Sequence, residues 1–222
     1  MLPIELPPPA NDGDIPSPAY AELHALSDFS FQRGASNARE LFERAKDIGY
    51  GALAITDECS LSGIVRALEA SLESELPLIV GSEFRLEDGT VLVLLVENQA
   101  GYTELCRLIT LGRRRAPKGH YTLQRTDFEA LAEGMCLLWI PGPLAASDAV
   151  QHDDRARWVA EHFSGRAWLA VELHRGQHDE AELVALRDLG ARHALPCVAA
   201  GDVHMHLRRR RALQDVMTAI RI

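Results

Sequence analysis

Apolar residues along this chain fall into two kinds of cluster. Some form short runs of a few residues bounded by Gly, Pro, Asn, Asp or Ser. Others recur every third or fourth position over ten residues or more. The short runs predict strands at Ala21–Ala25, Ala52–Thr56, Leu78–Ser82, Val91–Glu97, Met135–Ile140, Trp168–Leu173 and Cys197–Gly201. Between them, Asn37–Gly49 sets Ala38, Leu41, Phe42, Ala45 and Ile48 on one helical face, and Asn37 with Glu40 has the spacing of a capping box. Leu61–Glu75 repeats the pattern with Leu61, Ile64, Val65, Leu68 and Leu72. Further helices are expected at Tyr102–Arg115, Asp127–Glu133, Arg155–Phe163, Glu180–Ala194 and Arg208–Ile222. Thr126 and Glu129 suggest a second capping box, and the last helix gathers Leu213, Val216, Met217 and Ile220 on one side. Strand and helix alternating in this way predict one α/β domain, either a barrel-like (βα) array or an open doubly wound sheet. No sequence period repeats. Residues 1–19, with Pro3, Pro7, Pro8, Pro9, Pro16 and Pro18, read as an extended, flexible leader, and Asp12 and Asp14 within it as part of a turn. The helical pattern is still running at Ile222 with no Gly or Pro to stop it, so a longer protein is expected.

Composition narrows the function more than the fold. With 222 residues, 47% of them hydrophobic and 25% charged, the chain can build a sizeable core. A formal charge of −9 argues against gripping nucleic acid unaided, because phosphate binding needs a surplus of Lys and Arg. Cys59, Cys106, Cys136 and Cys197 form no C-x-x-C pair and read as reduced, mostly buried thiols of a cytoplasmic protein. The longest apolar run, Val91–Val96, is too short to span a bilayer, and no signal peptide opens the chain. The basic runs Arg208–Arg211 and Arg113–Lys118 are expected on a solvated face or in an interdomain contact.

The candidate chemistry sits where the strands run out. Asp202 and His204 follow the seventh strand, and alternation on an extended chain points both to one side. His24 ends the first strand, Asp57 and Glu58 the second, Glu83 the third and His174 the sixth. A parallel barrel would bring these onto one face, and imidazoles with carboxylates are the donors that hold divalent metals against a phosphate. Each has a plainer alternative. Asp57 could cap the helix beginning near Ser60, Glu83 could pair with Arg85 at the surface, and Asp202 could cap the last helix.

Four stretches carry a family resemblance: Glu22-Leu-His-Ala-Leu-Ser-Asp-Phe-Ser30, Ile55-Thr-Asp-Glu-Cys-Ser-Leu61, Gly81-Ser-Glu-Phe84 and Gly201-Asp-Val-His204. They resemble the motifs of the PHP (polymerase and histidinol phosphatase) domain. Val91–Lys118 and Ala200–Ile222 look closest to the version in bacterial C-family, DNA polymerase III alpha-like, error-prone polymerases. The resemblance covers residues 20–222 and implies a distorted seven-stranded TIM-like barrel. It also implies a parent enzyme of translesion synthesis and DNA repair, using magnesium at carboxylates outside this chain.

Against the family pattern the metal positions are depleted. Leu26 stands where the first motif has its second His, Arg33 and Glu58 replace two further ligands, and Val91 and Pro141 fall at two more. Hydrocarbon cannot ligate a metal, and a guanidinium repels one. His24, Asp57, Glu83, Asp202 and His204 remain as a vestigial set for at most one weakly bound divalent ion, with no catalytic residue assigned. Crowded acids need a counter-charge, and Arg33 is the expected substitute for metal, bridging carboxylates bidentately; a solvent-exposed Arg33 is the alternative. The expected role is structural or interaction-mediating. The expected partners are the rest of the polymerase chain, DNA through the full-length protein, a sliding clamp or mutagenesis accessory proteins, and no membrane. The competing expectation is an active phosphoesterase, either a 3′–5′ proofreading exonuclease or a phosphatase.

Overall fold

The structure is a computed structural model that describes residues 20–131, 133–142, 144 and 149–221. The Pro-rich stretch 1–19, with Asp12 and Asp14, lies outside the described residues. Seven strands form one sheet in chain order: β1 (Ala21–Glu22), β2 (Ala52–Ile55), β3 (Leu78–Arg85), β4 (Val91–Val96), β5 (Met135–Ile140), β6 (Ala167–Val171) and β7 (Cys197–Ala199). The helices are α1 (Ala38–Asp47), α2 (Ile64–Ser74), α3 (Gln99–Arg114), α4 (Thr126–Glu129), α5 (Ala149–His162), α6 (Asp179–Arg192) and α7 (Arg211–Arg221). The sheet curls into a nearly closed barrel. Its seam is stitched just past the two terminal strands, where Ala25 bridges Val203 and the Val203 amide donates to the His24 carbonyl at 2.9 Å. Glu22 reinforces the seam: its Oε1 accepts the amides of His24 at 2.9 Å and Gly201 at 2.8 Å.

All seven expected strands exist, but two features depart from a simple (βα) array. β3 and β4 are joined by a tight turn rather than a helix, and β4 runs antiparallel to both β3 and β5. Its first residue, Val91, therefore lies at the end of the barrel where parallel strands finish. β3 also runs three residues beyond its expected end, so Glu83 sits inside the strand opposite Val93.

Alternation sorts β4 into two layers. Leu92 and Leu94 pack outward with Trp139 and the helices α3–α6, while Val93 and Leu95 pack inward with Ala54, Leu138, Ala170 and Ala200. Small residues fill the narrow interior, as a tight barrel requires. α1 buries Ala38, Leu41, Phe42 and Ala45 and carries the expected capping box of Asn37 and Glu40, though Ile48 is exposed.

Other sequence expectations shift. α4 begins one residue early and its cap is Arg125, so Thr126 and Glu129 form no capping box. α2 turns Ala67 and Ala70 inward and leaves Val65, Leu68 and Leu72 exposed. Close approach to α1 favours methyl-sized side chains, so the bulkier stripe faces out. No residue of α7 is buried, and Leu213, Val216 and Ile220 face solvent. Cys197 is exposed rather than buried, although its thiol reaches the Leu186 carbonyl of α6; Cys59 is buried and all four thiols are free. Among the described residues, no helix is long and apolar enough to cross a membrane.

Candidate functional site

The mouth of the barrel gathers the ionisable side chains. The loop after β1 is folded inward by close backbone packing: a Cβ at Gly34 would lie 1.9 Å from the Ser27 carbonyl oxygen, so only glycine fits. Arg33, next to it, is thereby drawn inside and is only 6% exposed, against the solvent-exposed alternative. Its Nη1 donates to Glu83 Oε1 at 2.7 Å and to Glu58 Oε2 at 2.6 Å, and its Nη2 donates to Glu83 Oε2 at 3.0 Å. This is a bidentate grip on one carboxylate with a reach to a second.

His24 stands between β3 and β6. Its Nε2 lies 3.0 Å from Glu83 Oε2, its Nδ1 lies 2.7 Å from Glu172 Oε1, and Asp202 Oδ1 is 3.8 Å away. Burial disfavours charge on the ring, but the hydrogen bonds and charges of Glu172 and Glu83 outweigh it and raise its pKa to about 10. Both ring nitrogens then donate, one to each carboxylate. Glu83 is fully buried, which alone would raise its pKa. The His24 and Arg33 contacts win, and hold the carboxyl well below the usual range. With Arg85 Nε also 2.8 Å from Oε1, four cationic N–H groups converge on the two Glu83 oxygens. Three hydrogen bonds and the Arg85 ion pair therefore engage both Glu83 oxygens, close to the roughly four acceptor sites a carboxylate has.

Asp57 does not join this network. It is buried and accepts from the Ser27 amide at 2.9 Å, Ser27 Oγ at 2.7 Å and Ser30 Oγ at 2.6 Å, holding the Arg33 loop rather than capping α2. Burial pushes its pKa up, while the Ser30 and Ser27 bonds pull it down. Glu58 accepts from Arg33 and from the Tyr121 hydroxyl at 2.8 Å. On the far side, Asp202, with the left-handed φ of +45°, accepts from His204 Nε2 at 2.9 Å. Burial would raise the Asp202 pKa, but His204 and His24 lower it to about 2.

One donor atom each from His24, Glu83 and Asp202 lies within 4.8 Å of the others, and the same holds for Glu172, His174 and Asp202. Leu26 is fully buried, and Val91 and Pro141 line a cavity of about 670 Å³ at the mouth with His24, Arg85, Arg155, Glu172, His174 and Asp202. Glu172 and Tyr121 were not singled out from sequence. The alternation in Val171-Glu-Leu-His174 carried the signal for Glu172, since it puts that residue on the same side as His174. Tyr121 lies in a polar connection that carries no periodic signal. The basic runs are partly tied down: Arg113 donates to the carbonyls of Cys59 and Glu58, Arg115 pairs with Asp127, and Arg210 pairs with Glu40.

The seven-stranded, nearly closed α/β barrel is a fold found in other proteins. Two solved structures share it. One, a protein from Bifidobacterium adolescentis to which metal-dependent phosphoesterase activity is ascribed, is 17% identical with a TM-score of 0.55, covering 86% of this chain and 89% of that one. The other is an amidohydrolase from Chromobacterium violaceum with bound sulfate and no metal, 16% identical with a TM-score of 0.60, covering 84% and 88%. Residues 22–176 match the family model of the PHP domain, and the chain belongs to that family. It is 60% identical over 203 residues to an error-prone DNA polymerase of Pseudomonas paraeruginosa and 55% identical over 208 residues to one of Xanthomonas axonopodis pv. citri. It spans only 19% of the length of these curated relatives.

Proposed function

We propose that residues 20–222 form the PHP domain of an error-prone DNA polymerase and act there as a structural and interaction domain, not as a hydrolase. The observation that carries this reading is the engagement of both Glu83 oxygens by Arg33 and His24 through hydrogen bonds and by Arg85 through an ion pair. A multi-metal hydrolytic cluster does not fit these residues. Leu26, Val91 and Pro141 offer no donor, and any ion reaching Glu83 would have to displace a buried guanidinium. The protein's own cations hold together the acids of this cleft. Parts of the longer polymerase, DNA bound through it, and a clamp or accessory protein are the partners this role implies, with magnesium acting at the polymerase centre elsewhere in that protein.

The second reading, a metal-dependent phosphoesterase, draws on the Bifidobacterium neighbour and on the two ligand-like clusters. Elemental analysis of the purified chain, with a phosphate-ester assay in added manganese or zinc, separates the two. The structural reading expects no turnover. Several metal equivalents with sustained hydrolysis would overturn it.

A further inference from the structure

The donor atoms around the mouth are unevenly engaged. Glu83 accepts three hydrogen bonds from Arg33 and His24 and pairs with Arg85, and Asp57 is held by three serine donors. At the β6–β7 rim, Glu172 engages one oxygen with His24, and Asp202 engages one with His204. Three carboxylates, those of Glu83, Glu172 and Asp202, converge within 3.8 Å of the His24 ring, yet Arg33 reaches only the first of them. His174 is exposed on the cavity wall, and a donor of its ring lies within 4.8 Å of donors on Glu172 and Asp202.

We propose that the β6–β7 rim binds a single divalent cation of the zinc or manganese class through Glu172, His174 and Asp202. Bonds of about 2.0–2.2 Å to such an ion place neighbouring donors roughly 3–3.5 Å apart. The present spread therefore closes by side-chain rotation alone, which an exposed imidazole and a three-torsion glutamate allow. One imidazole with two carboxylates suits zinc or manganese better than magnesium, which prefers an all-oxygen shell. The remaining coordination positions face the 670 Å³ cavity and would carry water. His204, bonded to Asp202 at 2.9 Å, orients that carboxylate from behind. The site uses two residues at the end of the sixth strand, where none of the ligand positions implied by the family resemblance falls. It rests on the reading above in that Glu83 is already taken by protein cations.

The test is calorimetric titration of the chelator-treated chain with zinc chloride and with manganese chloride, magnesium chloride serving as control, alongside circular dichroism. One equivalent of zinc is expected. His174→Ala and Glu172→Gln should each weaken binding about tenfold or more. Because His174 is exposed, its replacement leaves the fold intact even if Glu172→Gln disturbs the His24 contact. Absence of saturable zinc binding would overturn the site. So would one equivalent that survives His174→Ala, and in that case the structural reading of the domain would still stand. Several equivalents accompanied by phosphate-ester hydrolysis would overturn both.

Discussion

On the β1–β3 side of the mouth, each carboxylate is held by protein donors, and the cation at the centre is the buried Arg33. On the β6–β7 side, Glu172 and Asp202 keep oxygens turned toward an open cavity beside an exposed imidazole. The same residue types thus have opposite fates within one ring of strands. A buried acid without a counter-ion is costly, so on the side where the acids are most deeply buried the protein supplies charge and hydrogen bonds from Arg33, His24 and the serines. Where the cavity opens, Glu172 and Asp202 are each held by a single imidazole, His24 and His204 respectively.

The largest test of this contrast is Arg33→Met. It strands Glu83, fully buried, and Glu58 beside it, and should destabilise the domain by about 3–5 kcal/mol in a urea melt run with chelator present. Added zinc should recover part of the loss if cation and guanidinium are interchangeable here. An unchanged midpoint with no metal uptake would mean that Arg33 does not carry the site's charge. Glu22→Ala, at the barrel seam, removes the acceptor of two backbone amides and of the Tyr20 hydroxyl, and should cost about 2 kcal/mol by the same melt. Hydrogen exchange should rise at His24 and Gly201.

Combining Arg33→Met with Glu83→Gln sharpens the comparison. The pair should couple by about 1–3 kcal/mol, the double variant losing less than the sum of the singles. Additive losses would place the energy elsewhere. Tyr121→Phe, which removes the hydroxyl between the Arg85 amide and Glu58, should cost about 1 kcal/mol. At the small end, His174→Ala on the open side and Leu68→Ser on the exposed stripe of α2 should each fall within about 0.5 kcal/mol of the parent. A larger cost for His174→Ala in chelator would show that the rim is as tightly coupled as the closed side.

Periodicity was enough to place every strand and to separate the helices, because burial on a sheet or helix imposes spacings of two and of three to four. The apolar run at Val91–Val96 was readable as a strand, but its antiparallel direction was not: a run buried on both faces carries no sense of direction. The burying stripe of α2 was misread because Val65, Leu68 and Leu72 and the Ala67–Ala70 pair both recur at helical spacing. Only the distance to α1 decides between them.

The chain alone also showed which side chains follow the strand ends: His24, Asp57, Glu83, Asp202 and His204, with Arg33 in the loop after the first strand. Tertiary structure decided which of these meet. It set Asp57 onto two serines, brought Arg33 and His24 together onto Glu83, and added Glu172 and Tyr121 from distant segments. Strand spacing can say that a side chain points toward the mouth. Which donor an oxygen finds there depends on separations of an ångström or two between remote elements, and those exist only once the barrel has closed.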